Sequence, residues 1–190
     1  MFLPRYVVTV GFRLSDDEKI LYNDVSRYAK EQYNKALMIS NKRNVAFALV
    51  ILQRRLASSM YAILRSLERR KKRLEELIKG LERTDSTEKV FDFDEVEDMS
   101  EEERWKEEEL WETLSVAENR QELEREIMTL SRLIEKARSI IQSEKEVKVL
   151  QLKISIEKLS QKFPNKKILI FTEAKDTLEY LEKKIKSPTV

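Results

Sequence analysis

Two apolar series of matching rhythm limit what this chain can fold into. Val45, Leu49, Leu52, Leu56 and Ile63, with small Ser59 filling one place, keep a 4-3 spacing that Leu67, Leu74, Leu77 and Leu81 prolong. Leu123, Ile127, Leu130, Ile134, Ala137 and Ile141 form an unbroken 4-3-4-3-4 series. A period near 3.5 residues keeps one stripe turned toward a partner helix. Both segments are therefore predicted helices, the first running from Val45 to about Gly80, packed antiparallel as a coiled-coil-like hairpin. At ~1.5 Å per residue the first reaches on the order of 50 Å, too long to lie inside a small globule. Glu68 with Lys72 and Glu75 with Lys79 are i,i+4 pairs in the favourable order, each adding about 0.2–0.5 kcal/mol.

The flanking segments have different periods. Tyr6, Val8, Val10, Phe12 and Leu14 alternate with Thr9, Gly11 and Arg13, the pattern of a half-buried strand, and Pro4 suits its beginning because it has no N–H for a ladder. Ser15-Asp16-Asp17-Glu18 is a capping box that starts a helix at Asp16, with Leu21, Val25, Tyr28, Ala36 and Ile39 as its apolar stripe and a turn or kink over Ser40 to Asn44. Around Ser143 to Glu146 the second heptad series loses phase, predicting a break before Val147, Leu150, Ile154 and Leu159 resume a stripe that Phe163-Pro164-Asn165 ends. Ile168 to Phe171 is a continuous apolar run of the kind buried on both faces of a parallel sheet. A helix from about Glu173 to Ile185, with Leu178, Leu181 and Ile185 on its apolar side, follows it and Pro188 stops it. Lacking strand neighbours, Ile168 to Phe171 is expected to pair with Tyr6 to Leu14 or with a second copy of the chain.

Composition removes whole classes of chemistry. Without cysteine or histidine the chain has no disulfide, zinc ribbon, thiol nucleophile or imidazole base. Its two glycines, Gly11 and Gly80, are too far apart for one phosphate-cradling loop, so no ATP hydrolysis is expected of these residues alone. The apolar run Val45 to Leu52 is far short of the ~20 residues a membrane span needs, and no signal pattern opens the chain, which reads as cytoplasmic. Charged residues make up 38% of the chain, against roughly 25% in ordinary domains, and high Lys and Glu without Cys resembles thermophile usage. The net charge of +2 is a cancellation: from Asp85 to Glu118, 15 acidic residues face three basic ones, a balance of −12, and the remainder carries +14. Asp85 to Met99 reads as a loop, and Ser100-Glu101-Glu102-Glu103 as a second capping box opening a short helix that buries Trp105, Leu110, Trp111 and Leu114. Asp16 with Asp17 and Asp92 with Asp94 lack the spacing of a calcium loop, so no metal site is expected.

Several runs resemble a known family. Leu3-Pro4-Arg5, then Leu14 to Tyr22, is similar to the start of the linker in Swi/Snf-type superfamily 2 helicase-like ATPases, with the RapA/HepA-like branch fitting best. Gln53-Arg54-Arg55-Leu56-Ala57-Ser58-Ser59, continuing through Leu67-Glu68-Arg69-Arg70, resembles that branch's helical segment between the two RecA-like lobes and is the most specific signal. Lys145 to Leu150 and Lys167 to Leu178 are similar to the helix and strand of motif IV, which opens the second lobe. Lys148 stands where the family often has a lysine after an acidic-serine pair, here replaced by Lys145-Glu146-Val147. The resemblance covers nearly the whole chain except the acidic stretch. It implies a non-catalytic middle piece of a DNA-dependent ATPase, because Walker A, Walker B and motifs V and VI are absent from these residues. ATP and magnesium would belong to the parent motor, and the partners implied are nucleic acid and the remaining lobes.

Arg54, Arg55, Arg65, Arg69, Arg70, Lys71, Lys72 and Arg73 concentrate positive charge on one helix, and such groups neutralise phosphates. The competing reading is a solvated helix face whose cations pair with Glu68, Glu75 and Glu76. Arg54 and Arg55 lie in an otherwise apolar stretch, where an unpaired charge is costly, so carboxylate or phosphate partners are expected. Thr172 sits at the strand-to-helix corner, able to cap the helix, and by the resemblance Thr172 and Lys175 lie near the nucleic-acid track. No catalytic residue is expected. The expected fold is mainly α: an N-terminal strand over 1–14, a helical arm over 15–84, an acidic connection over 85–115, a return helix over 116–163 and a β-α unit over 166–190. A stand-alone coiled-coil adaptor, with the stripes serving dimerisation or partner docking, is the alternative.

Overall fold

A computed structural model describes residues 7–38, 43–81, 100, 102, 103, 105, 106, 117 and 119–186. These contain six helices: α1 (Asp16–Met38), α2 (Arg43–Ser58), α3 (Met60–Leu81), α4 (Arg120–Gln142), α5 (Val147–Lys162) and α6 (Lys175–Lys186). The molecule is mainly α. Its largest helix contact joins α3 to α4, followed by α1 to α2, and α4 also reaches α1. The heptad stripes are what they bury. Leu49, Leu52, Leu56, Ile63, Leu67 and Leu74 meet Leu123, Leu130, Ile134 and Ala137 in one cluster that also takes in Leu21, Val25, Tyr28 and Ala36 of α1, with Leu77, Ile127 and Ile141 at its edge. At roughly 1.5–3 kcal/mol per fully buried large apolar side chain, this cluster is the main source of stability.

The long helix expected from Val45 is two helices. Ser59 ends α2 and caps α3, its Oγ accepting from the Ala62 amide at 3.0 Å. The spacing marks Ser59 as a small filler of the stripe, whereas its hydroxyl competes with the backbone ladder and breaks the rod. The Ser15 box forms as expected: Ser15 N–H donates to Glu18 Oε2 at 2.8 Å and Glu18 N–H to Ser15 Oγ at 3.3 Å. Asn119 caps α4 by accepting from the Glu122 amide at 3.0 Å. The break between α4 and α5 is a turn in which Glu144 takes a left-handed φ of 55°.

Neither expected strand is present among the described residues. Residues 7–15 and 166–174 form no strand, because a strand exists only through a paired neighbour and neither segment meets one. The alternation over 8–14 still selects one face: Val8, Val10, Phe12 and Leu14 all line a groove of about 610 Å³ that Ile170, Phe171 and Thr172 also line. The β-α unit is likewise reduced to its helix. No residue of α5 is buried, and Leu150, Ile154 and Leu159 of its expected stripe are each more than 40% exposed. Tyr6, Ile39, most of the acidic connection and the side chain of Val45 lie outside the described residues.

Candidate functional site

The break at Ser59 frees carbonyls as well as capping a helix, and the C-terminal half of the chain gathers there. Lys148, at the start of α5, donates from Nζ to the carbonyls of Ala57 at 2.7 Å and Ser58 at 2.8 Å, and burial holds its pKa below the ordinary lysine value. Ser58 and Ser59 both share hydrogen bonds with the Thr177 hydroxyl, each at 2.8 Å. Nearly three turns further along α3, Arg69 holds the Asp176 carboxylate through Nη2–Oδ2 at 2.9 Å and Nη1–Oδ1 at 3.3 Å, with both side chains largely shielded from water. The rings of Tyr61 and Tyr180 stack at 4.8 Å. Lys184 of α6 pairs with Glu144 in the α4–α5 turn at 2.8 Å. The arm and α6 are thus joined by a polar seam.

This seam reverses the expected orientation of α6. Leu178 and Ile185, two of the three residues of the expected apolar side, are 46% and 38% exposed, while Asp176, Thr177 and Tyr180 are buried against the arm. Burying polar atoms is tolerable only when each finds a partner, and those given above do.

Two carboxylates lie behind the joint. Glu18, 1% exposed, accepts from the Val147 amide through Oε1 at 3.0 Å while Oε2 serves Ser15, so one side chain caps both α1 and α5. Glu146, 3% exposed, accepts from the Tyr180 hydroxyl. Burial pushes the Glu146 carboxyl above its ordinary pKa; the Tyr180 hydrogen bond and Lys184 oppose this, and the negative charge of Glu18 adds to it. A carboxyl whose pKa is raised by folding favours the folded state most fully below the unfolded value, and that contribution is lost as pH rises through the folded value. Glu146→Gln is therefore expected to raise the urea midpoint at about pH 7 and to lose that advantage at about pH 4, in paired melts of the two proteins.

The expected basic residues fall into distinct places. Arg54 pairs with Glu173 at 2.9 Å, both well exposed, beside the Trp105 indole, which donates to the Glu173 carbonyl at 3.0 Å. Arg55 is buried, 4% exposed, against a pocket of about 290 Å³ that Arg54, Glu173 and Ala174 also line. Arg65 pairs with Glu68 at 2.8 Å, and Glu68 also takes Arg138 at 2.7 Å. Lys71 and Arg73 lie 3.7 Å from Glu75 and Glu76, loose exposed pairs of small energetic weight. Lys72 and Lys175 are exposed, and the Thr172 hydroxyl accepts from the Ala174 amide at 3.4 Å.

Arg70 corrects the expected basic face, for it is 1% exposed inside the bundle. Its Nη2 and Nε donate to Glu126 Oε1 at 2.9 and 3.0 Å, and Nε also reaches the Tyr28 hydroxyl at 2.6 Å, which donates in turn to Glu126 at 2.6 Å. It cannot reach a phosphate from there. Burial works against the Arg70 charge, yet Tyr28 and Glu126 outweigh it and hold its pKa above the ordinary value. Burial, reinforced by Glu126, keeps the Tyr28 phenol protonated well beyond its ordinary range, against the pull of Arg70. Sequence reasoning missed the roles of Lys148, Asp176, Thr177 and Tyr180; the one signal toward them was a small polar residue inside the α2–α3 stripe. No group of carboxylates suited to a metal ion occurs among the described residues, and no described helix is long and apolar enough to cross a membrane. Comparison with family models, with curated proteins and with solved structures gives no match.

Proposed function

We propose that this chain is a non-catalytic helical protrusion and linker of a Swi/Snf-type, RapA-like superfamily 2 ATPase, joined to the opening of its second motor lobe. Its work is mechanical: it couples the position of that lobe to the arm and holds nucleic-acid backbone without reading sequence. The observation that carries this reading is the polar seam of Ser58, Ser59, Arg69, Asp176 and Thr177. It lies at the end of the Gln53 to Ser59 run, where the family resemblance is most specific, and it joins the arm to the segment resembling motif IV. The seam leaves Leu178 and Ile185 of α6 turned outward, available to a sheet. ATP and magnesium belong to lobes outside these residues. The adaptor reading is weakened because the heptad stripes that would serve it are buried against each other in the bundle.

Lys72, Arg73 and Lys175 are the cations offered to phosphate, with Arg54 and Arg65 able to exchange an exposed carboxylate for it. Duplex DNA is expected to shift in gel electrophoresis at low ionic strength, equally for unrelated sequences. Three contacts give a slope of log affinity against log salt of about −2 to −3. Lys72→Glu combined with Arg73→Glu is expected to weaken binding at least tenfold. Absence of any shift, with duplex or single strand, removes the phosphate-contact part of the proposal.

A further inference from the structure

Outside the helices, the most exposed large apolar side chains lie on two segments flanking one groove. Phe171 is 88% exposed and Leu169 78%, and across the groove Val8 is 81% exposed. No backbone ladder bond is made by residues 167–172 among the described residues, so this apolar stretch has a backbone edge on which a strand pairing could form, of the kind proteins normally cover.

We propose that this edge is covered by the same edge of a second copy, as an antiparallel ribbon whose two-fold axis passes through Ile170. The charge pattern selects both the occupant and the register. A two-fold axis perpendicular to such a ribbon sets residues of equal parity opposite each other on one face. Centred on Ile170, it places Leu169 against Phe171 of the second copy and Lys167 against its Glu173, each pair occurring twice. Leu169 and Phe171 are the two outward residues of the run, while Ile168 and Ile170, each 37% exposed, turn toward the molecule. Centring on Leu169 instead sets Lys167 against Phe171, and centring on Phe171 sets Leu169 against Glu173, so only the Ile170 register matches charge with charge and apolar with apolar. Glu173 already accepts from Arg54, but its carboxylate has two oxygens and is 79% exposed, so it can receive a second cation.

The motor reading gives this edge to strands of its second lobe, so a dimer through it counts against that reading, whereas DNA binding through Lys72 and Lys175 neither supports nor opposes it.

Light scattering of the full chain at about 100 μM tests it, a dimer having twice the 22.6 kDa of one copy. Phe171→Glu is expected to give the monomer with an unchanged helical circular dichroism signal. Lys167→Glu is expected to weaken association at least tenfold, and combining it with Glu173→Lys restores it. Because the chain has no cysteine, Ile170→Cys reports the axis directly: it is expected to form an intermolecular disulfide on oxidation, while Lys166→Cys does not. A monomer at that concentration overturns the proposal, including one that captures a different polypeptide on this edge. So does a dimer indifferent to Phe171→Glu, or one in which Ile170→Cys fails to link.

Discussion

Replacing Arg70 alone with leucine is expected to cost about 3–5 kcal/mol, a large part of the roughly 5–15 kcal/mol that holds a domain folded. The substitution strips Glu126, 5% exposed, of the buried guanidinium that donates to it and leaves its charge in the bundle without that cation. Glu126→Leu alone is expected to cost a similar amount, since it leaves Arg70 charged and buried. Removing all three polar groups together, as Arg70→Leu, Glu126→Leu and Tyr28→Phe, is expected to recover most of the loss, because the penalty of each single change is the partner left behind. Urea melts of the single, double and triple variants measure this directly. Additive losses across the set would mean that the three side chains do not act as a unit.

The triad also shows where sequence reading succeeds and where it stops. Leu67, Leu74, Leu130 and Ile134 are legible because burial of an apolar side chain depends on its own period along the helix. Arg70 is legible only in part. It fills the stripe place between Leu67 and Leu74, as Ser59 does between Leu56 and Ile63, but the partners that make its burial tolerable, Tyr28 and Glu126, lie 42 and 56 residues away along the chain, where no local pattern points to them. The capping boxes at Ser15 and Ser100 are local, and both form, the second with the Glu103 amide 3.4 Å from Ser100 Oγ. The strands fail for a related reason: alternation identifies a face, which Val8, Val10 and Phe12 keep, but pairing requires a second strand that no local pattern can supply. The joint lies between these cases. Ser59 is visible as a small residue in a stripe, while its consequence, two carbonyls held by Lys148, depends on a residue 90 positions away.

Glu18→Ala is the second substitution expected to be severe, at about 2–4 kcal/mol, because one carboxylate serves the first amides of two helices and each charge-assisted bond contributes about 1.5–3 kcal/mol. The Ser15 and Val147 amides both lose their acceptor, and the N-terminus of α5 has no other side-chain cap. The two losses separate by hydrogen exchange. In Glu18→Ala, amides of residues 15–18 and 147–150 are expected to lose protection together, while those around Leu67 and Leu130 in the core keep theirs. Ser15→Ala removes only the hydroxyl that receives the Glu18 amide, so it is expected to loosen the start of α1 and leave Val147 protected. Unchanged protection at 147–150 in Glu18→Ala would show that the start of α5 is held without Glu18, through Lys148 and the contacts of Glu144 and Glu146 with α6. Loss at both places would mean that the start of the arm and the start of the C-terminal unit share one anchor. Movement of that unit would then pull directly on α1 as well as on the seam at Ser59, which is the linkage a coupling element between two lobes requires.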